Sequence, residues 1–197
     1  STLTEITITD LGAPDHTAFA REIISAVGGI DTALTPEAIY GDAAAQLAEI
    51  PTYRDDGLVE RLTVICEGMD RDSDLSDLGR ITNKTILTRY LVQRSRLEDL
   101  YRRHPEIDNI EIERPLIIAG LPRSGTTHLL NLISVDHRLR SLAYWESLEP
   151  IPSAAELAGR DDAEDPRIQR CRDSLALQDR MMPLFKNMHE MSPEHIH

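Results

Sequence analysis

The sequence changes texture at Pro115, and that change limits the folds open to the chain. Pro115, Leu116, Ile117, Ile118 and Ala119 form a short uninterrupted apolar run, the pattern of a strand covered on both faces, since no position in it alternates towards water. The run passes directly into Gly120, Leu121, Pro122, Arg123, Ser124, Gly125, Thr126 and Thr127, and residues 126–135 then read as a helix. Strand, glycine-bearing turn and helix, in that order, form the opening unit of an α/β sheet. The expected architecture is therefore α/β, with a parallel sheet flanked by helices over residues 114–197. A mostly helical region over residues 1–113 is expected to pack on it, and residues 142–145 are a candidate second strand.

Caps and spacing carry the helical expectation upstream. Thr35 and Pro36 place a cap and a first-turn proline ahead of the alanine-rich residues 37–50. Residues 56–69 set Leu58, Leu62 and Ile65 on one face, and the acidic run 70–77 interrupts the pattern. The longest candidate spans residues 78–104, where Ile86, Leu87, Tyr90, Leu91, Leu97, Leu100 and Tyr101 recur mostly at three or four. Pro105 ends it, because proline lacks an amide donor and restricts the residue before it, and a polar linker follows. Downstream, residues 153–159 read as a short helix. Asp165 and Pro166 cap another that reaches Met182, with Ile168, Cys171 and Leu175 facing inward.

A hydrophobic content of 41% is enough to build a packed core. A net charge of -13 and a pI near 4.9 argue against a nucleic-acid surface, which needs clustered cations. Any anion must sit in a local pocket. Cys66 and Cys171 stand far apart and outside CxxC spacing, which suits buried, reduced thiols. Residues 1–10 show no basic-then-apolar leader and no later run nears ~18 apolar residues, so a cytoplasmic protein without membrane insertion is expected.

The turn carries the chemistry. Gly120 and Gly125 are spaced as in the phosphate-binding pattern GxxxxGK[ST], with Thr127 at the hydroxyl position but Thr126 where the lysine belongs. Loss of that lysine weakens the case for an ATP or GTP hydrolase. Arg123 supplies a cation from inside the loop, with a planar fork suited to oxyanions. Glycines let the backbone wrap an anion, and the following helix directs the positive end of its dipole there. The candidate binding set is Pro122, Arg123, Ser124, Gly125, Thr126, Thr127 and His128.

The segment from Pro115 to Thr127 resembles the bacterial, actinobacterial-type branch of the PAPS-dependent sulfotransferase family. Trp145 and Glu146, followed by Pro150 and Pro152, are similar to the family's next segment. The resemblance implies a P-loop-kinase-like fold and 3′-phosphoadenosine 5′-phosphosulfate as co-substrate, with no metal. It implies transfer of a sulfuryl group to a hydroxyl or amine of a small-molecule acceptor. It also implies 3′-phosphate contacts on later elements, expected beyond His197, so that the chain is the front half of a catalytic unit. Homo-oligomerisation stays open. The competing readings are a P-loop phosphotransferase or NTPase and a non-catalytic adenosine-phosphate-binding module.

Such a transfer asks the protein mainly for alignment and charge stabilisation, assigned here to Arg123 and the loop amides, and for a base that takes the acceptor proton. Glu146, beside the large apolar Trp145, is the first candidate base. His189, followed by the polar Glu190, is the second. Two metal patterns fail: Pro193 stands at the second histidine of an HExxH match begun by His189, and Leu75 and Ile81 break a calcium-loop match at Asp70, Asp72 and Asp74. Met181, Met182, Met188 and Met191, with Leu184 and Phe185, would line an apolar acceptor site or simply pack. Arg94, Arg96, Arg102 and Arg103 form either an anion site or a solvated face balanced by Glu98 and Asp99.

Overall fold

The computed structural model describes residues 15–30, 32–47, 57–159, 164–189 and 191–195. Its regular structure is helical. The elements are α1 (Ala18–Val27), α2 (Pro36–Ala44), α3 (Leu58–Asp72), α4 (Asp77–Arg103), α5 (Thr126–Ser134), α6 (Tyr144–Leu148), α7 (Ala154–Ala158) and α8 (Pro166–Met181), with 3-10 turns at Pro105–Asn109 and Phe185–Asn187. Residues 48–50 and 56, which the sequence reading assigned to helices, lie outside the described residues, as do residues 1–10.

Local chemistry starts these helices, α2 and α4 within a residue of the expected positions and α1 where no particular helix is expected from the sequence. Thr17, Thr35 and Ser76 accept from the amides of Ala20, Ala38 and Gly79 at the N-caps of α1, α2 and α4, each satisfying a donor that the helix cannot. At α7, Ser153 Oγ accepts from Glu156 N at 3.3 Å while Glu156 Oε2 accepts from Ser153 N at 2.7 Å, a reciprocal capping box. Leu34, Ile39, Ala43, Leu62, Cys66, Leu91 and Val92 then bury one another where α2, α3 and α4 meet. Ile65, expected on the inward face of α3, is 41% exposed, and Cys66 takes that place.

The α/β fold class is overturned. Residues 111–121 form no ladder hydrogen bonds and bend at Arg114, whose φ is +47°, and Leu116 and Ile117 are 67% and 83% exposed. A parallel strand takes its structure from neighbours on both edges and layers on both faces. Among the described residues this run has neither, and the only bridge is an isolated one at Ala143. The second expected strand, residues 142–145, instead begins α6. There Ala143 N donates to Glu146 Oε2 at 3.3 Å, and the first-turn amides of Tyr144 and Trp145 donate to His195 O and Pro193 O at 2.7 and 3.2 Å.

Polar side chains, more than apolar ones, tie the later helices to the bundle. Gln93 Oε1 accepts from Ile151 N at 2.9 Å, and Arg96 Nη1 donates to Ile151 O at 3.3 Å. Arg167, 5% exposed, donates to Glu149 O at 2.7 Å, pairs with Asp165 at 2.7 Å and lies 4.7 Å over the Trp145 ring. Both cysteines are buried and free, Cys66 in the bundle and Cys171 on α8.

Candidate functional site

The turn before α5 closes on itself at Gly120. A Cβ there would stand 2.8 Å from Ser124 Oγ and 2.9 Å from Thr126 Cγ2, so glycine alone permits this approach. Ser124 fixes the bend twice, donating from its amide to Leu121 O at 3.2 Å and from its hydroxyl to the same oxygen at 2.6 Å. Gly125, the N-cap of α5, has φ +88°, and Arg123 holds φ +66°, a left-handed conformation that side chains disfavour.

Those signs turn the backbone so that α5 starts with open donors. The amides of Gly125, Thr126, Thr127 and His128 meet no protein acceptor among the described residues; the ladder begins with Leu129 N donating to Gly125 O at 3.0 Å. Free amides at the positive end of a helix, behind a closed glycine turn, suit an oxyanion. The residues present therefore fit the phosphosulfate end of the expected donor. α5 has no buried residue, so its packing contributes little to this shape.

His189, 66 positions along the chain, meets the loop. Its Nε2 lies 3.4 Å from Arg123 Nη1; with the guanidinium donating, Nε2 accepts and the ring proton sits on Nδ1. The His189 and Phe185 rings are 5.6 Å apart, and both line a cavity of about 230 Å³ with Leu175, Gln178, Lys186 and Met191. Of the predicted methionine cluster, Met191 reaches this cavity, whereas Met182 and Met188 are 51% and 62% exposed.

Glu146 is engaged elsewhere. Arg140 Nη2 donates to its two oxygens at 2.8 and 3.0 Å, and Ala143 N shares Oε2. Its neighbour Trp145 stacks on Arg167, a partnership that spacing did not suggest. The arginines of α4 separate into two kinds. Arg94 pairs with Glu98 at 2.9 Å, while Arg102 and Arg103 clasp Asp99 and hold its carboxyl below the usual carboxylate range. Arg96 instead faces inward to Ile151. Among the described residues no three His, Cys, Asp or Glu side chains converge as a metal site, and no helix is long and apolar enough to cross a membrane.

Over the matched part of the chain, the fold is that of a solved sulfotransferase structure. The solved structure that shows it is that of sulfotransferase STF1 from Mycobacterium tuberculosis H37Rv, type1 form, with a TM-score of 0.63 and 23% sequence identity, covering 85% of this chain. The match covers 45% of that chain, so this one spans about half its length. No protein-family model matches the chain, and no curated protein matches it. The resemblance read from residues 115–127 is thus borne out at the level of the fold.

Proposed function

We propose that the turn and the first amides of α5 grip the 5′-phosphosulfate of 3′-phosphoadenosine 5′-phosphosulfate, as the donor site of a sulfotransferase with a small-molecule acceptor. The observation that carries this reading is the closure of Gly120 on Ser124 and Thr126, which leaves four amides open at the positive end of a helix beside Arg123. The likeness to a sulfotransferase structure supports the choice of sulfuryl over phosphoryl chemistry. The donor supplies a sulfuryl group on a phosphate leaving group. The amides and the hydroxyls of Thr126 and Thr127 hold its oxygens, and Arg123 offsets the charge that gathers on the leaving phosphate.

Between the candidate bases, position favours His189. It touches the loop arginine and lines the adjoining cavity, where an acceptor hydroxyl would meet it. Accepting at Nε2, it presents the lone pair that a hydroxyl proton needs once Arg123 turns to the anion. Glu146 would first have to leave Arg140.

Thermal stabilisation by 3′-phosphoadenosine 5′-phosphate, compared with ATP and magnesium, tests the reading. The bisphosphate should raise the melting temperature, by a free energy of about 2.7 kcal/mol at a hundredfold excess over Kd. Arg123→Ala should abolish most of that rise while leaving the unliganded protein unchanged. A response to ATP with magnesium that exceeds the bisphosphate response would replace the sulfotransferase with a phosphotransferase, and no response to either would remove the donor site.

A further inference from the structure

A second cavity lies between α2, α4, α7 and α8. It measures about 450 Å³, a size that takes a small organic molecule, and neither residues 120–128 nor His189 line it. One face of α4 supplies a wall, with Thr85, Thr88, Arg89, Val92 and Arg96 brought together by spacings of three and four. Thr85 at its outer end is exposed, but Thr88 and Val92 are buried and Arg89 and Arg96 half-buried, so the inner part of this face is polar. Thr88 is 4% exposed and its hydroxyl has no partner; Arg89 Nε is buried and also has none. Buried donors without acceptors are unfavourable, and native structures keep few of them.

The charges in the cavity are unequally answered. Asp42 pairs with Lys84 at 2.8 Å, and Glu149 and Glu156 both pair with Arg170 at 2.6 Å. The guanidiniums of Arg89 and Arg96 have no carboxylate partner among the described residues; Arg96 gives one hydrogen to Ile151 O, and Arg89 lies 5.8 Å from the Tyr90 ring centroid. Each acid thus touches a cation, Glu149 and Glu156 sharing Arg170, while the guanidiniums of Arg89 and Arg96 tip the balance of the cleft, Lys84 included, to one net positive charge. We infer that this cleft binds a small organic molecule carrying a carboxylate or phosphate group, with Arg89, Arg96 and the Thr88 hydroxyl receiving the oxyanion and Val92 and the arginine stems flanking its apolar body.

Titrations of the full chain with benzoate, phenyl phosphate and, as the uncharged control, benzyl alcohol test this at constant ionic strength, read by NMR on the Arg89 side-chain Nε–H signal. At least one anion should shift that signal saturably with a Kd below about 1 mM, and benzyl alcohol should not. Which anion binds more tightly tells carboxylate from phosphate ligands. Arg89→Gln should weaken binding about tenfold or more, while Arg94→Gln, at a residue that pairs with Glu98 and does not line the cleft, leaves it unchanged. Thr88→Val keeps the shape and should weaken the anion without lowering the melting temperature of the free protein. The inference fails if the Arg89 signal stays fixed up to about 10 mM of either anion, or if the amides of residues 125–128 respond in its place. A lower melting temperature for Thr88→Val would overturn it too, since the hydroxyl would then serve the fold. The loop reading is judged separately, by the bisphosphate.

Discussion

Around Ile39, side chains of α2, α3 and α4 exclude water together; around Gly125, backbone signs and short polar contacts set the shape with almost no packing. From residue 94 to residue 166 no described residue is buried, whereas seven between Leu34 and Val92 share one core. Yet the turn at Gly120 is as tightly defined as the helix junctions, because Ser124, Thr126 and two positive φ angles define it locally. Fold stability and ligand geometry thus reside in different places, and most substitutions should disturb one without the other.

The largest expected effect is in the bundle. Ile39 is wholly buried, so Ile39→Ala should lower unfolding free energy by about 3–4 kcal/mol in urea denaturation while leaving bisphosphate affinity per folded molecule intact. A matching loss of affinity would show the two regions to be coupled. Gly120→Ala should do the reverse. The new methyl must displace Ser124 Oγ or Thr126 Cγ2, so binding by calorimetry should weaken at least about tenfold, with stability altered by less than about 1 kcal/mol.

The capping box of α7 gives a smaller, pH-dependent effect. Burial pushes the Glu156 carboxyl up, but the Ser153 amide and hydroxyl and the Arg170 guanidinium outweigh it and hold the group below its ordinary 4.5. Its contribution is therefore complete above that value and is lost as the pH falls through the lower folded value. Glu156→Gln should remove about 1 kcal/mol at pH 7 and nothing at pH 2, measured by urea midpoints; an equal loss at both would assign the effect to packing. Smallest is Ile117→Ala. At 83% exposure it should change stability by less than about 0.5 kcal/mol, and a larger loss would reveal cover over residues 115–119.

The legible parts of the sequence were those decided within a few residues. Thr35, Ser153 and Asp165 announce helices because a cap acts on the next turn, and the glycines at 120 and 125 announce the loop because its form depends on their missing side chains. The apolar run at residues 115–119 was misread for the opposite reason. It states a need for burial, but a sheet exists only if other strands arrive, and no local pattern supplies them. Residues 142–145 became the start of a helix once Glu146 reached back to the Ala143 amide and the chain near Pro193 took up the next donors. The meeting of Arg123 with His189 joins positions far apart in sequence, and the stacking of Arg167 on Trp145 had no motif to mark it.

Cys66 and Cys171 turn this division into something that can be timed. Burial pushes both thiols up, so neither reacts readily while its surroundings stay closed. A thiol-blocking reagent applied to the native protein therefore runs two internal stopwatches, one ticking when the bundle opens and the other when α8 comes away, and peptide mapping of the label reads each separately.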